Sequence, residues 1–224
     1  MIPWELLDST IVPGEGSELH LYRRGDEFSI KARHCELMNS RTHGSEDALA
    51  ERVCQQLAAR SRPRILIGGL GMGYTLAAAL AQLGSDAEVV VAELVPAVVM
   101  WNRGVLAALA GRPLDDSRVT IYEGDVGQLI RSGSMAYDAI LLDVDNGPEG
   151  LVRKENDNLY SLAGLSASLA ALRPHGLFGV WSISPDQAFS KRLRQTGFSV
   201  EELRVRAHGQ SRGGRHMIWV GTKT

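Results

Sequence analysis

Arg64-Ile65-Leu66-Ile67-Gly68-Gly69-Leu70-Gly71-Met72-Gly73 is the stretch on which the fold turns. A short apolar run ends in closely spaced glycines, and an alanine-rich amphipathic segment follows at once. A second apolar run, Val89-Val90-Val91-Ala92, ends in Glu93 twenty residues past Gly73. A strand that feeds a glycine turn into a helix brings backbone N–H groups and a helix N-terminus close to a ligand. An acid closing the next strand can accept hydrogen bonds from ribose hydroxyls. Glycines alone would be explained by a turn that needs positive φ. With Glu93 at this spacing, the pattern points to a nucleoside site.

From Arg64 onward, strand and helix patterns alternate. Strands are predicted near 64–68, 88–93, 118–122, 137–143, 176–182, 198–206 and 215–221, with helices at 73–83, 96–109, 125–131, 159–172 and 185–196. Alternation of this kind implies a mostly parallel sheet with helices on both faces. Only the turn Gln210-Ser211-Arg212-Gly213-Gly214 separates the last two strands, so they pair antiparallel. Residues 1–45 read as a small N-terminal region: Leu19 and Leu21 alternate with polar neighbours, Arg24-Gly25-Asp26-Glu27 turns, and Phe28 and Ile30 resume. That is a β-hairpin, too small to stand alone. Ser45-Glu46-Asp47 opens a helix running to about Ala59, and residues 46–224 form the main domain.

Composition excludes several classes. With 224 residues, 44% of them hydrophobic, the chain suits one large α/β domain with an appendage. A net charge of −2 gives no field for gripping nucleic acid, and Arg204, Arg206, Arg212 and Arg215 read as a solvated hairpin. Cys35 and Cys54 form neither a disulfide framework nor a metal-ligand spacing, so reduced thiols and no metal are expected. No leader-like segment opens the sequence and no apolar stretch could cross a bilayer, so a cytoplasmic protein without membrane partners is expected.

A parallel nucleotide-binding sheet closed by an antiparallel hairpin resembles the class I S-adenosylmethionine-dependent methyltransferase fold, a Rossmann-like α/β architecture with seven strands. Within it the chain is most similar to the spermidine synthase-like proteins. The resemblance runs through the N-terminal hairpin, Gly68-Gly69, Glu123-Gly124-Asp125, Tyr137 to Asp143, Asn158-Leu159-Tyr160 and Leu172-Arg173-Pro174-His175-Gly176.

The resemblance implies roles. Gly69, Leu70, Gly71 and Gly73 would line the methionine end of S-adenosylmethionine, Glu93 with Leu94 would hold the ribose, and Asp125 with Val126 would meet the adenine. Asp125 also sits where an N-cap is expected in any protein. Asp143 ends an apolar strand beside the topological switch point and matches the aspartate that orients and deprotonates an amine in spermidine synthases. His43, Ser45 and Glu46 fall near that family's substrate wall, with Ser45 equally a helix cap. Tyr160 reads either as an aromatic lid or as a core residue, and Trp181 and His216 as site or packing residues.

Two departures bear on the reaction. The family's glycine loop carries an aspartate, which holds the aminopropyl amine of decarboxylated S-adenosylmethionine, where this chain has Gly71. The family's loop after the catalytic aspartate is replaced by Val144-Asp145-Asn146-Gly147-Pro148; Asp145 and Asn146 read either as substrate contacts or as turn chemistry. These departures put methyl transfer to a small nitrogen acceptor first and aminopropyl transfer from the decarboxylated donor second. A non-catalytic nucleoside-binding protein comes third and a nicotinamide dehydrogenase last. A homodimer built on the N-terminal hairpin is a candidate state.

Overall fold

The computed structural model describes residues 2–14, 16–32, 35–144, 157–208 and 212–224. Seven strands form the main sheet: β5 (Arg64–Gly68), β6 (Glu88–Glu93), β7 (Val119–Glu123), β8 (Tyr137–Leu142), β9 (Leu172–Ser182), β10 (Phe198–His208) and β11 (Arg212–Lys223). Their order is β10-β11-β9-β8-β5-β6-β7, with antiparallel pairing only where β11 meets β9 and β10. This is the predicted seven-stranded, mostly parallel architecture with its antiparallel terminal hairpin. The chain enters at β5, builds outward through β6 and β7, then returns to lay β8 on the other side of β5. The direction of winding therefore reverses between the C-terminal ends of β5 and β8, where open α/β sheets leave a crevice.

Pleat alternation sorts the core into two layers. Ile65, Ile67, Ala139 and Leu141 face α1 (Gly44–Cys54), α2 (Tyr74–Gln82) and α3 (Pro96–Arg103). Leu66, Ile140 and Leu142 face α4 (Val126–Ser132), α6 (Leu162–Ala171) and α7 (Gln187–Thr196). Every residue of β8 is buried, as a central strand covered on both faces requires. On β9, a Cβ at Gly179 would lie 3.0 Å from both Leu49 and Val53, so α1 rests directly against the strand there. That close seating sets where the first turn of α1 reaches.

The N-terminal region is larger than the predicted hairpin. It is a four-stranded antiparallel sheet of β1 (Glu5–Ile11), β2 (Glu18–Arg24), β3 (Glu27–Ala32) and β4 (Cys35–Asn39). The middle strands carry the alternation that sequence reveals. The outer two are mostly exposed or half-buried and owe their state to backbone pairing. Leu19, Leu21, Phe28, Ile30 and Ala32 join the same core cluster as α1 and β5, so the small sheet packs on its own chain. Each fully buried Leu or Ile contributes roughly 1.5–3 kcal/mol, enough to hold down a sheet that would not fold alone.

Other boundaries shift as well: the helix predicted to run to about Ala59 ends at Cys54, and the last strand begins at Arg212, within the predicted turn. The helix predicted over 96–109 stops at Arg103, because Gly104 leaves helical geometry at φ −110°, ψ −111°. The helix predicted over 159–172 divides into α5 (Asp157–Tyr160) and α6, since Ser161 turns extended and caps α6 by accepting from the Gly164 N–H at 3.1 Å. Finally, β9 begins at Leu172, four residues before the predicted strand. Among the described residues no helix is long and apolar enough to cross a membrane.

Candidate active site

The crevice between β5 and β8 is built from backbone first. The Asp143 N–H donates to the Gly68 carbonyl at 3.0 Å, and a Cβ on Gly69 would stand 2.5 Å from the Asp143 carbonyl oxygen. Gly69 also has φ +85°, so two independent constraints exclude a side chain there. The glycine loop can consequently lie flush against the end of β8.

On one side of the loop is a cavity of about 140 Å³. Gly69, Gly71, Glu93 and Leu94 line it from β5 and β6, and Asp125, Val126 and Asp143 from β7 and β8. Val12, Leu19, Ile30, Leu37 and Met38 of the N-terminal region cover it. Glu93 is 7% exposed, its Oε2 accepting from the Leu70 N–H at 2.9 Å and its Oε1 from the Val95 N–H at 2.8 Å. Burial pushes this carboxyl up, while the surrounding backbone N–H groups pull it down. The same carboxylate lines the cavity, where its oxygens can also accept from hydroxyls. Asp125 is the N-cap of α4, its Oδ1 accepting from the Gly127 N–H at 2.9 Å, and it lines the cavity as well. Its cap role leaves Oδ2 only a long 3.4 Å contact with Arg131. A deep acid beside a glycine loop and a second acid at a helix start fit a nucleoside by their donor and acceptor chemistry.

On the other side lies a smaller cavity of about 50 Å³. Glu46 and Asp143 face it together, with Tyr74, Thr75, Asn39 and Trp181 around them. Leu37, Met38, Gly71 and Asp143 line both cavities. Asp143 Oδ2 accepts from the Thr75 hydroxyl at 2.5 Å, a charge-assisted bond from the first turn of α2. Burial pushes Asp143 up to about 6 against that bond. Burial, and then the nearby Asp143 charge, push Glu46 up to about 7. Two carboxyls in one dry pocket hold protons more tightly than either would alone. Trp181 adds a buried indole N–H with no hydrogen-bond partner among the described residues.

Some expected residues lie elsewhere. Tyr160 is 2% exposed and packs edge-on against Phe189 at 5.7 Å, lining neither cavity; the lid reading is corrected to a core one. Gly73 also lines neither, its missing Cβ facing Asn102 and Pro113. It serves as the left-handed start of α2 rather than as a ligand contact. Leu70 lines the small cavity and supplies an N–H to Glu93. His43 is turned to Asp47, at 2.7 Å, and stacks on Tyr74 at 4.0 Å. Asp145 and Asn146 lie outside the described residues. Sequence reading missed Thr75, whose only signal was a hydroxyl in the first turn of an alanine-rich helix. It also missed Leu37 and Met38, which reach the site from a separate sheet and carried no signal.

The strand order defines a Rossmann-like α/β domain of the class I methyltransferase-like architecture, with two cavities at its crevice. No protein-family model matches the chain, and no curated protein matches it. Solved structures do. Spermidine synthase from Thermotoga maritima aligns at TM-score 0.76 and 15% identity, over 98% of this chain and 72% of that one. A spermidine synthase in complex with the transition-state analogue AdoDATO gives TM-score 0.75 and 16% identity, again over 98% and 72%. A probable spermidine synthase from Corynebacterium glutamicum ATCC 13032 gives 0.66 and 17%, over 98% and 81%. The chain thus has the fold of the spermidine synthases, including its small N-terminal sheet; at these identities the likeness speaks for the fold alone.

Proposed function

We propose that this chain is a transferase that moves an alkyl group from an adenosyl sulfonium donor to a small amine, with aminopropyl transfer from decarboxylated S-adenosylmethionine as the first reading. The observation that carries it is the pair Glu46 and Asp143 facing one small cavity that borders the nucleoside-suited one, with Leu37, Met38, Gly71 and Asp143 lining both. Glu93 would hold the ribose and Asp125 the adenine, and the bound donor would supply a carbon made electrophilic by its positive sulfur. The remaining work falls to the chain. Paired carboxylates attract an ammonium, align it, and accept the proton it must lose before its lone pair can attack. The apolar cover of Leu37 and Met38 keeps water from competing for the donor. A cavity of about 50 Å³ suits a short amine better than a polymer.

The likeness to spermidine synthases, one of them bound to AdoDATO, favours aminopropyl over methyl transfer and so reverses the order expected from sequence. Methyl transfer stays as the second reading on one observation: Gly71 offers no acid to reward a lone ammonium, and the Met38 thioether stands where its side chain would go. The nucleoside product separates the two. Single turnovers with each donor and a panel of short diamines, amino acids and heterocyclic amines should release methylthioadenosine from the decarboxylated donor. Release of S-adenosylhomocysteine instead would make the protein a methyltransferase, and no binding of either donor would remove the reading altogether. Asp143→Asn should slow the transfer by roughly 10²–10⁴-fold at unchanged donor affinity, as loss of a positioned base does.

A further inference from the structure

Behind Glu46 the hydrogen bonding continues away from the cavity. The Ser45 hydroxyl, fully buried, lies 2.6 Å from Glu46 Oε2 and 2.8 Å from His216 Nδ1. Ser45 and His216 come from α1 and β11, so the contact exists only because the fold brings both ends of the chain together. A hydroxyl has one proton to donate. When Glu46 is ionised, Ser45 donates to it and His216 Nδ1–H donates to Ser45. When Glu46 carries a proton it can donate to Ser45, and Ser45 then donates to a bare Nδ1. The three groups therefore form a chain with two opposite polarities.

The outer end of that chain, His216, borders exposed residues of β11. His216 is half-buried, with the edge of Trp181 at 4.9 Å on one side. Its Nε2 lies on the side of Gly214, which is exposed. Burial lowers the tendency of this ring to protonate, so it is neutral and able to accept at pH 7. The other charged groups around Glu46 are Asp143 at the end of β8 and Asp47 on α1. Asp47 is engaged by His43, which stacks on Tyr74 of α2. Among the described residues, the side-chain partner of Asp143 is the Thr75 hydroxyl, from which no second chain of this kind runs outward.

We propose that Ser45 and His216 are positioning residues that form a proton relay, carrying the proton taken from the acceptor amine at Glu46 out to solvent. The proposal rests on the amine-transfer reading. The protons balance. The acceptor ammonium gives one proton to a Glu46 oxygen, freeing its lone pair for attack. Glu46 passes that proton to the Ser45 oxygen while Ser45 passes its own to His216 Nδ1. The Nε2 proton of His216 then leaves to water. Glu46 is again a carboxylate, Ser45 a hydroxyl, and His216 a neutral ring whose proton has moved from Nε2 to Nδ1; loss of the Nδ1 proton and uptake of one at Nε2 by exchange with water resets the ring before the next transfer.

Two measurements on the full chain test this, and only one needs turnover. Nitrogen NMR of labelled histidine reads the His216 tautomer directly. In the wild type the proton should move from Nε2 to Nδ1 as Glu46 ionises with rising pH. Glu46→Gln cannot ionise, so the ring should keep one tautomer across the same pH range. A tautomer that is identical in the two proteins at every pH overturns the relay. In single turnovers, His216→Ala and Ser45→Ala should slow transfer by about tenfold or more, with the acceptor KM kept within about twofold. Added imidazole should restore His216→Ala but not Ser45→Ala. His216→Gln can still bond to Ser45 yet cannot carry a proton, so it should stay slow; wild-type speed in that variant would make His216 a strut and overturn the relay. If the tautomer switch is present but the wild type alkylates no amine, the relay stands and the transferase reading falls alone.

Discussion

Asp143 and Glu46 illustrate how much chemistry two side chains gain from burial. Both carboxyls bind protons more tightly when folded, to about 6 and about 7. Between about pH 4 and 7 the native state thus holds more protons than the unfolded chain, and stability must fall as pH rises through that window. Asp143→Asn removes one of these acids while an amide oxygen can still accept from Thr75. The variant should be more stable than the wild type at pH 8 by roughly 1–3 kcal/mol and nearly equal to it at pH 4, as measured by urea unfolding. Gly71 is the second decisive residue. At φ +53° it lies in the left-handed region that aspartate tolerates better than most residues, and its Cβ would be 3.1 Å from the flexible Met38 sulfur. Gly71→Asp should shift calorimetric preference toward the decarboxylated donor by about 10–100-fold, the worth of one charge-assisted bond. Met38→Ala beside it should enlarge that shift by relieving the contact.

At the scale of elements, α4 combines a folding role with a binding one at a single position. Asp125 caps the helix through the Gly127 N–H and presents its carboxylate to the large cavity. Substitution can separate the two. Asp125→Ala should lose the cap, at about 0.5–2 kcal/mol, together with nucleoside affinity. Asp125→Ser should keep most of the stability, since serine caps nearly as well, and still lose the affinity. Thermal unfolding paired with calorimetry of methylthioadenosine reads both effects; equal affinity in Asp125→Ser and wild type would leave Asp125 only a cap. α1 works differently. Its Leu49 and Val53 rest on Gly179 of β9, and that seat aims its first turn, carrying Ser45 and Glu46, at the end of β8.

Across the whole molecule, the site at the C-terminal edge of the sheet depends on a fastening at the opposite edge. Asp138, near the start of β8 and 4% exposed, accepts from Arg60 at 2.6 Å, Arg173 at 2.6 Å and the Arg64 N–H at 2.8 Å. One carboxylate thereby ties the segment after α1, the first residue of β5 and the start of β9 to the central strand. Asp138→Asn keeps the shape but loses the charge that strengthens these bonds. It should lower stability by about 1.5–3 kcal/mol in urea unfolding while leaving nucleoside affinity unchanged, because the cavities lie at the far end of the strand. A large loss of affinity at unchanged stability would contradict this division of labour.

Much of the fold was legible in the sequence because its signals are local. The glycine run after β5, the acid closing β6, the apolar strand ending in Asp143 and the short link before β11 each state a geometric requirement within a few residues. The spacing of Glu93 and the resemblance to spermidine synthase-like proteins carried the nucleoside reading. Local signals failed where pairing or packing decides: β1 and β4 are held by backbone partners, and Tyr160 is drawn into the core by Phe189. The acceptor side of the site was legible only in pieces. Ser45, Glu46, Thr75, Asp143, Trp181 and His216 are scattered from the first helix to the last strand, and of these only Asp143 ends a recognisable stretch. Only the tertiary structure puts two acids into one small cavity and a serine between an acid and a histidine. The physical reason is that proton affinity and hydrogen-bond direction depend on what surrounds a group in space, and those neighbours are chosen by the packing of α1 on β9 and of β11 beside it.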